Sequence, residues 1–499
     1  MERSSDMTVS PLDRGAAPAP QPLAQLRYTP QKRWVASRFN ARTVGADGRM
    51  LLWNTYTGAV AEFMPEHRDR VLELLTGDGA REPFDHAAHH LVQRGFLVPE
   101  GMDEMGRFRM LFGQQHWRSD TLQMILLASE DCNFRCVYCY EKFKNGTMLP
   151  EVRQGIRALV DARAPALRAL GVNWFGGEPL YGWDAIEELA PHFARTARER
   201  GMAFTHGMTT NAYLLTEERA TRLLEWGCTS YQITVDGLAE DHDCKRVGRD
   251  GGPTWHVIMD NLRSLKARDA KFTVTVRVNI DRENYLRLGP FLEQLSEDFS
   301  GDPRYVMRFR QVGKWGGPND DQLDTCGLPE QRWVLDTLRG QAVSLGLRAE
   351  GGLDDIRTPG SQVCYAGRPY NFIVGATGKL MKCTIALDEM EENIVGQLHP
   401  DGRMEVNEAN LIKWVAPHFE TDSLCQTCYV VPGCQGAACP LTRIRDGHRT
   451  CCDVKSELKR EMRFTLDAMA VRRGAKPTPP PALAPPAVAV APELAAAGG

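Results

Sequence analysis

The sequence predicts an α/β protein centred on a parallel sheet of six strand–helix units curled into a partial (β/α)6 barrel. Six apolar, β-type runs follow one another between residues 116 and 340: LQMILLAS, VNWFGG, FTHGMTT, SYQITVDG, FTVTVRVNI and YVMRFRQV. Amphipathic helical segments alternate with them, and alternation of strand and helix means parallel strands joined by helical crossovers.

Taken in order, residues 1–25 are Pro- and Ala-rich and are expected to be disordered. Residues 26–115 form a separate α+β unit. WVASRFNARTV, a DG turn and MLLWNTYTGAVAEF predict two strands, HRDRVLELL and FDHAAHHLVQRG two helices, and GFLV a closing strand. Within the barrel, DAIEELAPHFARTA places Ile186, Leu189, Ala190 and Phe193 at helical spacing, and TEERATRLLEWG has Thr216 as N-cap and Gly227 as stop. Residues 341–460 are irregular and cysteine-rich. The tail 475–499 is low in complexity, nearly uncharged and expected to be disordered, with a role as partner tether the alternative.

The 499 residues are 42% hydrophobic and 25% charged, enough for two or three domains with ample core. A formal charge of −4 gives no global basic field and argues against a nucleic-acid partner gripped over a long surface. No secretory h-region is present, and no apolar run reaches the roughly 18 to 20 residues of a membrane span, so a cytoplasmic protein with no membrane partner is expected. Fourteen cysteines grouped in CxxxCxxC and CxxC arrays fit metal thiolates in a reducing compartment better than disulfides.

The most informative of these arrays is CNFRCVYCYE, with Cys132, Cys136 and Cys139 at the end of the first barrel run. A C-x2-C pair alone would more often be zinc or a redox pair. Here a third cysteine stands upstream, Tyr138 lies inside the pair, and FGGEPL follows about 40 residues on. The combination resembles the radical S-adenosylmethionine (SAM) superfamily. The resemblance implies a [4Fe-4S] cluster on Cys132, Cys136 and Cys139, whose free iron is chelated by the SAM amino and carboxylate groups. It also implies a SAM site: Gly176, Gly177, Glu178 and Pro179 for the methionine amine, with Thr210, Asn211 and Asp236 lining ribose and methionine. In HDCKR, Arg246 would pair with the SAM carboxylate. Each of these residues falls at the C-terminal end of a strand, where such barrels carry their chemistry. Turn chemistry for Asn211 and Asp236, and a surface role for Arg246, are the plainer readings. Arg277 and Asn279 are further candidates at the barrel mouth, because strand alternation points them inward. Cys228 and Cys244 fit no spacing and read as structural thiols.

A second cysteine field follows. Cys364, thirteen residues, Gly378, four residues and Cys383 precede Cys425, Cys428, Cys434, Cys439, Cys451 and Cys452. This resembles the SPASM extension of radical SAM enzymes, with four residues rather than three between Cys434 and Cys439; a zinc ribbon is the alternative. By resemblance, two auxiliary [4Fe-4S] clusters are implied. Cys425, Cys428, Cys434 and one of Cys451 or Cys452 would hold the outer one, and Cys364, Cys383 and Cys439 the inner. The inner site lacks a fourth cysteine nearby, so either Cys326 completes it or one iron stays open.

SPASM enzymes mostly act on peptides. Crosslinking of a ribosomally made precursor peptide, thioether or carbon–carbon, competes with sulfatase-type maturation of Cys or Ser to formylglycine. Cys383-Thr384 stands where sulfatase-maturing relatives carry a Cys-Asp pair, which favours crosslinking, and VGKWGGPND after the sixth strand resembles crosslinking maturases; Lys314 and Trp315 are candidates to shape a peptide channel, with a packed tryptophan the plainer reading. The α+β unit loosely resembles a winged-helix leader-recognition domain, with a structural cap the alternative. Partners implied are the precursor peptide and a flavodoxin- or ferredoxin-like low-potential electron donor. An iron–sulfur electron carrier without radical chemistry would have no need of the SAM residues. A nucleic-acid-modifying enzyme would show basic patches with interleaved aromatics, which the sequence lacks.

Overall fold

The computed structural model describes residues 33–473 apart from 327, 354, 355, 357 and 448. The two low-complexity ends expected to be disordered lie outside the described residues. The first unit contains β1 (Trp34–Ala36), β2 (Asn40–Val44), β3 (Met50–Asn54), β4 (Val60–Phe63), α1 (Pro65–Thr76), α2 (His86–Gln93), β5 (Leu97–Pro99) and α3 (Glu104–His116). β2, β3 and β4 make an antiparallel meander, and β1 pairs with β5.

The two long strands expected here each break in two, and buried Asn54 is the reason. Its Nδ2 donates to Ser37 Oγ at 3.1 Å and to Asn40 Oδ1 at 2.9 Å, holding the corner between β1 and β2. Its Oδ1 accepts from Tyr56 N at 3.1 Å and Thr57 N at 2.9 Å, an Asx turn that ends β3. β3 is buried on both faces. Met50 and Leu52 pack toward α1 and α2, whereas Leu51 and Trp53 pack toward α3 and the C-terminal helix.

In the barrel, β6 (Thr121–Ser129), β7 (Ala169–Gly176), β8 (Ala203–Thr210), β9 (Ser230–Thr234), β10 (Thr273–Ile280) and β11 (Tyr305–Gln311) lie side by side in chain order, all parallel. They coincide with the six runs read from the sequence. The crossovers carry α4 (Pro150–Arg163), α5 (Trp183–Arg200), α6 (Glu217–Glu225), α7 (Ala239–Lys245), α8 (Trp255–Lys266), α9 (Leu288–Phe299) and α10 (Leu328–Ser344). Ile186, Leu189, Ala190 and Phe193 of α5 are fully buried. Thr216 caps α6 by accepting from Arg219 N at 3.3 Å, and Gly227 beyond its end has φ +77°.

The sheet runs on past both barrel edges. β12 (Arg348–Ala349) joins β11, and β13 (Asn371–Val374) pairs parallel with β6 and continues into antiparallel β14 (Lys379–Met381), β15 (Ile394–Leu398) and β16 (Met404–Val406). The cysteine-rich region adds α11 (Glu408–Val415), α12 (Ser423–Gln426), α13 (Val431–Cys434), α14 (Pro440–Asp446) and α15 (Asp453–Arg472). Leu458, Met462, Leu466 and Met469 of α15 share one buried cluster with Ala41, Leu51 and Trp53. Phe108 and Phe112 pack against Phe419 in tilted and edge-to-face contacts, each at 4.9 Å between ring centroids, His116 Nε2 bonds Val415 O at 2.9 Å, and Arg38 donates to Gln426 O at 2.6 Å. The first unit is therefore seated on the cysteine-rich region. Among the described residues no helix is long and apolar enough to cross a membrane.

Candidate active site at the barrel mouth

Between β6 and α4 the chain makes the loop that carries Cys132, Cys136 and Cys139. Its neighbours hold it in place. Arg135 N donates to Val247 O at 2.9 Å, Val137 N to Lys245 O at 3.0 Å, and Arg249 N to Asn133 O at 2.8 Å, which stitches the loop to the segment after α7. Asp131 accepts from Cys132 N at 2.8 Å and pairs with Arg135 at 3.2 Å and Arg249 at 2.9 Å. Burial alone would raise its carboxyl, but the backbone bond and both arginines hold it below the usual range. Glu130 accepts from Ala376 N at 2.8 Å and Asn145 at 2.6 Å. These two acids are braces for the loop rather than the solvated surface that an acidic flank suggests.

The floor beneath the loop has to be glycine. A Cβ on Gly177 would stand 2.6 Å from Asp131 O and 3.1 Å from Cys132 Cβ. One on Gly176, whose φ is +118°, would stand 2.0 Å from Ser129 O. Pro179 then opens a short buried turn.

Glu178 is fully buried, and its carboxylate faces protein donors. Oε1 accepts from Leu180 N at 3.0 Å and Thr210 Oγ1 at 2.6 Å, and Oε2 from Asn211 N at 2.7 Å. Burial pushes its carboxyl up, against the pull of these donors and Arg246. Asn211 in turn donates to Asn133 Oδ1 at 2.8 Å, and its amide lies 3.8 Å from Cys132 Sγ. Glu178 thus stands behind the site and positions the side chains that face it.

Tyr138 forms the hub of the opposite wall. Its hydroxyl donates to Asp236 Oδ2 and accepts from Arg246 Nη1 at 2.8 Å and Asn279 Nδ2 at 3.0 Å. Asp236 Oδ1 accepts from Asn279 N at 2.9 Å, so Asp236, like Glu178, lies behind the wall. Arg246 is buried, and its Nε has no partner among the described residues.

These walls enclose a cavity of about 430 Å³. Cys132, Cys136 and Cys139 line one side with Gly176, Gly177, Thr210 and Asn211; Gln232, Arg277, Asn279, Arg310 and Trp315 line another, and Thr384 and Ile385 a third. Glu141, Gln232 and Arg310 are lining residues to which the sequence reading gave no role. Gln232 and Arg310 were findable from the same inward alternation that marked Arg277, and Glu141 is the last residue of the CNFRCVYCYE array. Burial, with Glu130 and Glu178 nearby, pushes the Glu141 carboxyl up to about 8.

The loop residues fit a cluster and an anionic ligand. Burial raises all three thiols, Cys139 to about 12, and the thiols of Cys136 and Cys139 are felt at Cys132. Three thiolates so placed need a polycationic partner. The unpartnered Arg246 Nε asks for an anion. Among the described residues no three Cys, His, Asp or Glu side chains converge as one metal ion would need; a four-iron cube spreads its thiolates over separate irons.

The remaining cysteines fall into two groups. The Cys364 thiol feels Cys383 and Cys439, and the Cys383 thiol feels Cys439. Cys425, Cys428, Cys434, Cys451 and Cys452 line one small cavity. Cys452 is buried and hydrogen-bonds with Cys434, whereas Cys451 is exposed beside Lys455 at 3.9 Å. Cys326 packs on the main core between β11 and α10, Cys228 is buried, and Cys244 is exposed.

Residues 126–295 match the family model "Radical SAM superfamily". The chain is 27% identical over 197 residues to the radical SAM cyclopropyl synthase TigE of Paramaledivibacter caminithermalis, covering 35% of this chain and 40% of that protein. It is 23% identical over 351 residues to the serine-type anaerobic sulfatase-maturating enzyme of Klebsiella aerogenes, covering 64% of this chain and 80% of that one. Among solved structures, anSMEcpe with bound AdoMet matches at TM-score 0.52 and 17% identity over 71% of this chain and 99% of its own. Its form with AdoMet and the Cp18Cys peptide matches at 0.50 and 17%, over 71% and 97%. The structural likeness carries the fold: a mixed α/β barrel of the radical SAM type.

Proposed function

We propose that this chain, which carries a radical SAM domain, is a peptide maturase that uses SAM and a [4Fe-4S] cluster to join two residues of a ribosomally made precursor, preferably through a thioether. The observation that carries the reading is the reach of the cavity, from the first cysteine loop to Thr384 and Ile385 beside Cys383. A substrate residue in it lies between two cysteine groups.

When bound, the cluster and SAM supply a 5′-deoxyadenosyl radical able to take hydrogen from unactivated carbon. Cys132, Cys136 and Cys139 are the residues that would hold that cluster; Tyr138, Gly176, Gly177, Thr210, Asn211 and Arg246 would bind SAM, with Glu178, Pro179 and Asp236 positioning them. Cys364, Cys383 and Cys439 would hold an inner auxiliary cluster, and Cys425, Cys428, Cys434 and buried Cys452 an outer one. Thioether closure removes one hydrogen atom, one proton and one electron from the peptide. The chain orients the two reacting groups in the cavity and excludes water from it. The first unit would hold the precursor's leader, and a low-potential flavodoxin- or ferredoxin-like protein would deliver electrons.

Sulfatase-type maturation is the second reading, favoured by the length of the match to the Klebsiella enzyme. Against it, Thr384 replaces the carboxylate expected beside Cys383, and its hydroxyl is engaged with Tyr365 at 2.7 Å. In support of a peptide substrate, anSMEcpe of the same fold binds one. The test is mass spectrometry of a short cysteine-containing peptide encoded beside the gene, co-expressed with the enzyme and treated with a thiol alkylator. Loss of two hydrogens with one cysteine no longer alkylated supports the thioether. The same loss with every thiol free indicates carbon–carbon or carbon–oxygen coupling, and an unmodified peptide from a SAM-cleaving preparation returns the sulfatase reading to the front.

A further inference from the structure

We infer that Arg277 binds a substrate carboxylate, so that the peptide carries an Asp or Glu side chain close to the residue that loses hydrogen. This rests on the peptide reading above. Three arginines occupy neighbouring inward positions of the last two barrel strands, since Arg277 of β10 is in register with Arg308 of β11, and Asn279 with Arg310. One carboxylate serves two of them. Glu350 takes Arg308 through both oxygens and Arg310 at 3.2 Å, while Arg308 also donates to Gln232 at 2.9 Å. Arg277 is left with a single bond, from Nε to Asn279 Oδ1 at 2.9 Å. Among the described residues it makes no ion pair, although the buried Asp236 feels its charge, and both Nη groups are available to the cavity it lines.

A guanidinium in a partly dry cavity calls for an anion, and the planar fork of arginine suits a carboxylate held by two bonds. Its place is also suited to orienting a substrate. Asn279, two residues along on the same strand face, donates to the Tyr138 hydroxyl within the cysteine loop. A carboxylate on Arg277 would therefore be fixed one step from the side of the cavity where hydrogen is removed. The SAM carboxylate is the competing source of the same chemistry, and Arg246, with its unpartnered buried Nε, is better placed for it.

The test uses the full chain, anaerobically reconstituted, with the peptide encoded beside the gene and its single Asp→Asn and Glu→Gln variants. KM and kcat for the modified product are measured alongside SAM affinity by equilibrium dialysis. For the wild-type enzyme, one acid-to-amide change should raise KM at least tenfold. Arg277→Gln should do the same with the unchanged peptide, Arg277→Lys should recover part of the loss, and SAM affinity should hold. Combining Arg277→Gln with the sensitive peptide should be no worse than either alone. Processing of every amide variant as well as the original would overturn the inference without help from any enzyme variant. So would a tenfold loss of SAM affinity in Arg277→Gln at unchanged peptide KM, which would give Arg277 to the cofactor. If the wild-type enzyme makes 5′-deoxyadenosine yet modifies no peptide, the peptide reading falls and this inference with it.

Discussion

Replacing Glu178 by glutamine tests whether that carboxylate shapes the proposed SAM-binding wall from behind. The side chain is fully buried with three protein donors: Leu180 N and Thr210 Oγ1 on one oxygen, Asn211 N on the other. Glutamine has the same shape but one acceptor oxygen. With that oxygen toward Leu180 and Thr210, its NH2 meets the Asn211 N–H donor to donor. One charge-assisted bond is lost, worth roughly 1.5–3 kcal/mol, and a buried donor is left unpaired. Glu178→Gln should therefore destabilise the protein by about 2 kcal/mol. Because Asn211 lines the cavity, SAM affinity should fall about tenfold, or about 1.4 kcal/mol. Glu178→Ala, which strands all three donors, should cost about 3–6 kcal/mol. Urea unfolding of the anaerobic protein reads the first quantity and equilibrium dialysis with SAM the second. A Glu178→Gln protein within ~0.5 kcal/mol of wild type and equal in SAM affinity would refute the reasoning, since the carboxyl would then already be protonated.

Tyr138→Phe removes the hydroxyl that Asp236, Arg246 and Asn279 share; SAM affinity should drop at least tenfold in dialysis while the far-ultraviolet dichroism is kept. Gly177→Ala places a methyl 2.6 Å from Asp131 O, and should lower the iron bound per chain in the reconstituted protein. His206 accepts from Trp174 Nε1 at 2.7 Å and bonds Trp226 O at 3.1 Å, and burial holds it neutral, its pKa lowered to about 4. The unfolded chain takes up that proton first, so the stability is complete above about pH 6.5 and falls as pH drops toward 4, by roughly 3 kcal/mol in all. His206→Gln, which can make both bonds, should flatten that acid limb in urea titrations between pH 6.5 and 4.

The barrel was legible in the sequence because each strand is a β-type run followed within two residues by Gly, Asn or Asp. The first unit was less so: nothing in the pattern shows that Asn54 ties off both β1–β2 and β3, and that contact is tertiary. β12 to β16 have two to five residues each, too few for periodicity to register, and they exist because β6 and β11 offer open edges. At the site, motif spacing located Glu178 and Asp236 just past strand ends and Arg246 at the end of α7, but not which way they point. Glu178 and Asp236 turn away from the cavity, each toward backbone N–H donors that no spacing reveals. Glu141 faces it because the cysteine loop folds back over the barrel mouth.

The central claim is that Cys132, Cys136 and Cys139 form the site of reductive SAM cleavage. The most direct measurement is 5′-deoxyadenosine production by the anaerobically reconstituted, dithionite-reduced full chain, beside the Cys132→Ala/Cys136→Ala/Cys139→Ala variant. The account predicts accumulation with the wild-type chain and background levels with the variant, which should still bind iron through its other cysteines. Equal production by both, or none from a wild-type chain that holds iron, sulfide and SAM, would contradict it.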